Sequence, residues 1–134
     1  MANILIGNLF LTIVCNSWIL SCIEPSPTIT TTGTLSTFAS CTGVNSSEQS
    51  FTVAGATMSH DIVVTPPSGY EVSTTSGSGF SGSVTLSPIS GTIATTTIYI
   101  RLTTGASNGD GGNITCVSTN ATTKNVATGS ATVT

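Results

Sequence analysis

The run Thr96-Thr97-Ile98-Tyr99-Ile100-Arg101-Leu102 constrains this chain more than any other stretch. Ile98, Ile100 and Leu102 fall on one side of an extended backbone, and Thr97, Tyr99 and Arg101 on the other. That is the period of two of a β-strand with one face in a core and one in water. Such a strand needs partners along its edges and a second layer over its apolar face. From Thr28 onward the chain supplies them. No window there has a helical period, and short β-branched runs alternate with Gly, Pro, Asn and Ser at a spacing of about 8–12 residues, the rhythm of an all-β sandwich or barrel.

The predicted strands are Thr28–Thr32, Leu35–Phe38, Gln49–Val53, Asp61–Thr65, Tyr70–Thr74, Ser83–Leu86, Thr96–Leu102, Asn113–Ser118 and Val126–Thr134. Phe51 and Val53, Ile62 and Val64, Tyr70 and Val72, Val84 and Leu86, and Ile114 and Cys116 each stand two apart, share a face and form the predicted core. Pro66-Pro67-Ser68-Gly69 and Ser87-Pro88-Ile89-Ser90-Gly91 read as turns, with Pro fixing one dihedral and Gly taking the conformation other residues avoid. Ser76-Gly77-Ser78-Gly79 reads as a flexible loop, with Phe80 placed to fold back onto the sheet.

Only 5% of the 134 residues are charged, against roughly 25% in an ordinary soluble domain. Ser, Thr and Gly take the surface positions instead. With two basic and five acidic residues, net charge −3, there is no cationic footprint for phosphate backbones or anionic lipids, which argues against nucleic acid as a partner. Disorder is excluded by the wealth of Thr, Val and Ile.

Residues 1–23 form a separate compositional object, apolar and without a charge before Glu24. A secretory signal is the leading reading, although no Lys or Arg stands near Met1 where a signal normally carries one. Ile19-Leu20-Ser21-Cys22 also resembles a lipobox, which makes Cys22 a candidate lipidation site. A retained membrane helix and a hydrophobic strand lent to a neighbouring subunit are the other readings. Glu24-Pro25-Ser26-Pro27 is a breaker and linker. One domain then fills residues 28–134, long enough for a single sandwich core.

Cysteines stand at 15, 22, 41 and 116, so loss of the leader leaves the pair Cys41 and Cys116. In an oxidising compartment a bridge between them, closing about 75 residues, would contribute roughly 4 kcal/mol. Two buried free thiols are the alternative. No C-x-x-C motif occurs and His60 is the lone histidine, so no metal site is expected.

Ser59-His60-Asp61 has the residue types of a hydrolase triad, but consecutive extended residues point to opposite faces and are not expected to hydrogen-bond in series. Glu48, Asp61, Glu71 and Asp110 are scattered, and no nucleophile motif or phosphate loop appears. No catalytic residue and no cofactor is expected. The Gly-rich stretch Ser107–Asn113, with Asn108, Asp110 and Asn113, is a weak candidate ion loop. One carboxylate is thin supply for calcium, and Asn-Gly with Asp-Gly reads more simply as a hairpin loop. Tyr99 beside Arg101 is the best candidate for a ligand-facing surface, against an ordinary pair in which the ring covers the arginine stem. Asn45-Ser46-Ser47, Asn113-Ile114-Thr115 and Asn120-Ala121-Thr122 are glycosylation sequons, a pattern frequent in Ser/Thr-rich sequence.

Taken together, Gly33–Phe38, Gln49–Gly55, Ile62–Ser73 with its Thr-Pro-Pro-Ser-Gly-Tyr, Thr97–Leu102 and Gly112–Cys116 resemble the Ig-like β-sandwich repeats of secreted and cell-surface proteins from Bacteroidota. The resemblance runs from about Pro27 to Thr134. It implies an Ig-like antiparallel sandwich of about 7–9 strands, cysteines at the places of Cys41 and Cys116, and spacing, display or adhesion without catalysis. Such repeats usually occur in tandem with a C-terminal sorting domain, and a single repeat without one is expected of a fragment, a truncated gene, or a subunit that associates instead of being concatenated. The expected protein is therefore an extracellular structural module, part of a stalk, fibre or adhesin. Its expected partners are other copies of itself, neighbouring repeats, or surface glycans and proteins, and the membrane only through the leader. Val126–Thr134 is the strand expected to pair or exchange with a neighbour. The alternative is a carbohydrate-binding module using Tyr99 and the loop from Asn108 to Asn113.

Overall fold

A computed structural model describes residues 23–134 and, of the segment before them, only the strands β1 (Ala2–Ile6) and β2 (Leu9–Ile13), which pair antiparallel. The lipidation site expected at Cys22 lies outside the described residues. From Thr28 the strands are β3 (Thr28–Thr32), β4 (Ala39–Ser40), β5 (Gln49–Ala56), β6 (Ile62–Thr65), β7 (Tyr70–Ser73), β8 (Val84–Leu86), β9 (Thr92–Leu102), β10 (Gly111–Val117), β11 (Lys124–Ser130) and β12 (Thr132–Val133). The described residues contain no helix.

Two four-stranded antiparallel sheets make the body, in the orders β3-β5-β9-β7 and β11-β10-β6-β8. Their inner faces meet in one core. Ile98, Ile100 and Leu102 of β9, Val53 of β5, Val72 of β7, Ile62 and Val64 of β6, and Ile114 and Cys116 of β10 have no solvent exposure. The alternation read from the sequence is therefore the alternation of burial, and of the ten residues expected in the core only Val84, partly buried against it, is not fully enclosed. Among the described residues the one parallel pairing is the short ladder of β4 with β12.

Both ends of the sandwich are plugged from loops. At one end Met58, from the crossing between β5 and β6, is 3% exposed, and its N–H donates to Gly91 O at 2.8 Å. Gly55 makes room for it, since a Cβ there would lie 2.7 Å from the Met58 Cγ. At the other end Phe38 packs edge-on against Tyr70, ring centroids 5.2 Å apart, beside the buried Ala106 and Ala131. The turn before Tyr70 closes through Tyr70 N–H to Pro67 O at 3.2 Å, with Gly69 at φ +82°.

Three expectations need correction. Leu35–Phe38 is not a strand: the pairing begins one residue later and lasts only for Ala39 and Ser40, because Phe38 turns inward to the core. The expected terminal strand breaks at Ala131: its first part lies in β11, and its last part, β12, pairs with β4 of the same chain. The loop from Thr103 to Asp110 is not a hairpin, because β9 and β10 belong to different sheets and the loop crosses between them. If Met58 seals its end of the core as its burial indicates, Met58→Ala should lower stability by about 2–5 kcal/mol in urea unfolding, the size of a body-of-core truncation and far above the ±0.5 kcal/mol typical of a loop surface change.

Candidate functional site

Titratable and aromatic side chains converge on the outer face of the β3-β5-β9-β7 sheet, near its β7 edge. The register Glu71↔Arg101 between β7 and β9 sets the two residues side by side, and Arg101 Nε meets Glu71 Oε1 at 2.7 Å. Their side chains are 26% and 20% exposed, so the pair is half-withdrawn from water. The loop after β7 folds back along that edge: Val72 and Ser81 exchange backbone hydrogen bonds at 2.8 Å in both directions. This lays the Phe80 ring under the Arg101 guanidinium, 4.0 Å from Cζ to the ring centroid, a cation–π contact in a partly desolvated setting.

Glu48, just before β5, holds the same loop from the other side. Its carboxylate accepts from the Ser76 hydroxyl and from Gly77 N–H at 3.0 Å. These two hydrogen bonds, the hydroxyl's first, hold the carboxyl below its ordinary pKa, with Arg101 adding a smaller attraction. Ser73 Oγ, buried beneath, donates to Ser78 O at 2.6 Å and accepts from Thr75 N–H at 2.9 Å. Gly77 and Gly79 take φ of +74° and +69°, which lets so tight a loop close. The stretch expected to be flexible is thus pinned at both sides.

Tyr99 and Arg101 share the outer face as expected, but their roles differ from the expected pair. Phe80, and not Tyr99, covers the arginine. Tyr99 stands half-buried between Ser50 of β5 and Ser73 of β7. Sequence reasoning singled out neither Glu48 nor Glu71. The strand register pairs Glu71 with Arg101, and no local pattern announces Glu48.

The candidate ion loop does not converge. Asp110 Oδ2 accepts from Ser107 N–H at 2.7 Å, Asn108 Oδ1 accepts from Val133 N–H at 3.2 Å, and Asn113 stands exposed on β10 opposite Ala127. Asp110 and Asn108 each close their own piece of backbone, and no group of metal-ligating residues occurs among the described residues. Ser59 Oγ and His60 Nδ1 do hydrogen-bond, at 2.9 Å. The backbone bends there, which corrects the expectation drawn for an extended segment. Both are exposed, and no hydrogen bond from Asp61 to the imidazole accompanies theirs.

The Cys41–Cys116 bridge is not formed; both thiols are free. Cys41 is exposed in the turn after β4, where Thr42 N–H donates to Thr134 O. That is the end of the sandwich where β10 begins. Cys116 lies five residues along β10 from Gly111, a run of about 17 Å, and its thiol is enclosed in the core. Burial pushes the Cys116 thiol up to about 11.

No family model, curated protein or solved structure matches the chain.

Two measurements follow. Iodoacetamide at mildly alkaline pH should alkylate Cys41 in the native protein and reach Cys116 only in denaturant; a Cys41–Cys116 peptide pair in a non-reducing digest would show the opposite arrangement. Because the folded Glu48 pKa lies below its unfolded value, its contribution is present above the unfolded value and lost as pH falls through the folded one. Hydrogen exchange at the Gly77 amide should accordingly lose protection with acid in that window, and Glu48→Gln should remove the pH dependence.

Proposed function

We propose that residues 28–134 form a non-catalytic Ig-like module that works outside the cell, as a building block of a surface stalk, fibre or adhesin that joins other copies or neighbouring repeats through its sheet edges. The strand order supports the Ig-like part. A sheet β3-β5-β9-β7 facing β6-β10-β11 has the ABED and CFG arrangement of a constant-type immunoglobulin sandwich. β8 is then an addition between the fourth and fifth strands, paired to the free side of β6. The motifs resembling Bacteroidota surface repeats run through these same strands, and the leader reading of residues 1–23 accords with export.

The observation that carries the functional reading is where the polar chemistry goes. Arg101 and Glu71 pair across β9 and β7 with Phe80 against the guanidinium, and Glu48, Asp110 and Asn108 each accept a backbone N–H of a loop or of the chain's last strand. What faces outward elsewhere on the sheets is mainly Thr, Ser and Val over backbone edges. Such a surface suits contact with other protein better than turnover of a substrate. The carbohydrate reading has less behind it, since Phe80 is already taken by Arg101 and Tyr99 stands half-buried.

Negative-stain electron microscopy of material isolated from the producing cell's surface is the test. Extended assemblies containing the domain are expected. Dispersed monomers, from a reading frame with no further domain, would overturn the proposal.

A further inference from the structure

The loop between β9 and β10 and the strand β12 hold each other, and one dipeptide sits at the centre of that contact. Of the chain's asparagines only Asn108 is followed by glycine. Glycine has no Cβ to shield its own nitrogen, so in Asn-Gly the backbone nitrogen most readily reaches the side-chain amide before it. Both residues are exposed, and Gly109 stands at φ +91°.

In the folded chain these two groups are bound to the same segment. Gly109 N–H donates to Ala131 O at 2.9 Å, and Asn108 Oδ1 accepts from Val133 N–H at 3.2 Å. β4 holds the other side of β12, through Thr132 N–H to Phe38 O at 2.9 Å and Thr134 N–H to Ser40 O at 3.1 Å. Successive amides of β12 therefore point by turns to β4 and to Asn108. The loop keeps its shape through Ala131 N–H to Asp110 O at 2.6 Å and Ser107 N–H to Asp110 Oδ2 at 2.7 Å.

We propose that Asn108 is a site of spontaneous deamidation gated by the docking of β12, and that the reaction latches β12 in its released state. With β12 undocked, Gly109 N gives its proton to solvent and bonds to Asn108 Cγ. The Cγ–Nδ2 bond breaks, and Nδ2 takes a proton from solvent and leaves as ammonia. Water then opens the resulting succinimide at either carbonyl, which places aspartate or isoaspartate at position 108. One water is consumed, one ammonia is released, and no oxidant or reductant takes part. While β12 is docked, Gly109 N–H is committed to Ala131 O and the Asn108 side chain is turned to Val133. The reaction then runs only through the opened population, and its rate falls with that population. The product does not return. A carboxylate at 108 stands two residues from Asp110, and an isoaspartyl link adds a methylene to the main chain before Gly109, which moves its N–H away from Ala131 O. The β4 ladder and the Thr42 N–H to Thr134 O bond are lost with the clasp.

Ageing the full chain in mildly alkaline buffer tests this, with tandem mass spectrometry locating deamidation at residue 108. The folded wild type should react about tenfold or more slowly than the same chain unfolded in urea. Val133→Pro removes the N–H that holds Asn108 and leaves both bonds from β12 to β4. It should react several-fold faster than the wild type while hydrogen exchange shows the β5 and β9 amides still protected. Thr132→Pro removes the bond to Phe38 O instead and should speed the reaction in the same way. In the aged wild type the deamidated fraction should lose exchange protection at the Thr132 and Thr134 amides. Folded wild type that reacts as fast as the chain in urea, or proline variants that react no faster than the wild type, would overturn the gate. Deamidated protein whose Thr132 amide stays protected would overturn the latch.

Discussion

The pairing of β5 with β9 is the constraint on which the rest of this fold depends. Its register, Phe51↔Ile98 and Gln49↔Ile100, lines up the inward side chains of the two central strands of one sheet. Those side chains form the floor against which Ile62, Val64, Ile114 and Cys116 of the opposite sheet are buried. The pairing is interrupted once, between Val53 and Gly55. That irregularity falls where Gly55 leaves space for Met58, so the break in the ladder and the plug at that end of the core are one device. A strand whose alternation is strong enough to tolerate a bulge can trade a step of regular pairing for a sealed end.

The alternation made most of the sheets legible. Thr28–Thr32 matches β3 at both ends, and Ile62–Thr65, Tyr70–Ser73 and Val84–Leu86 lie within their expected spans, because a half-buried strand writes its burial into every second residue. Phe38, Met58 and Ala106 were not legible as core, since a side chain that enters from a loop has no period to betray it. Turn dipeptides had the complementary weakness. Asn108-Gly109 and Asp110-Gly111 do mark a tight reversal, but local dihedral preference is the same whether the next strand pairs with the last or crosses to the other sheet. The cysteine arithmetic failed for a related reason: parity of count says nothing about which end of a sheet each residue occupies.

The outer-face cluster was half legible. Tyr99 and Arg101 could be placed on one face from β9 alone, whereas Glu71, Phe80 and Glu48 reach them only through strand pairing and the folded-back loop. Long-range register decides such neighbours, and a single chain's letters hold that register only implicitly. Ser59 and His60 show the reverse case, in which an extended backbone was assumed and a bend brought the two side chains together.

A surface this poor in charge places unusual weight on backbone geometry. Arg101, Glu71 and Glu48 gather at the β7 side of their sheet, where they hold a loop over the edge. The same sheet's β3 side is mostly threonine, with Lys124 of β11 beside it across the seam. Where charges are sparse, partner choice can owe little to electrostatic complementarity, and screening by salt has little to act on. Discrimination must come from what remains, namely strand length, the parity of inward and outward side chains, and which edges are obstructed. Sheets in charge-rich domains commonly use lysine to keep edges apart. This domain sets one lysine, Lys124, where β11 meets the β3 margin, and closes the β7 margin with the Ser81 bridge, so a single cation and a folded-back loop do what several lysines do elsewhere.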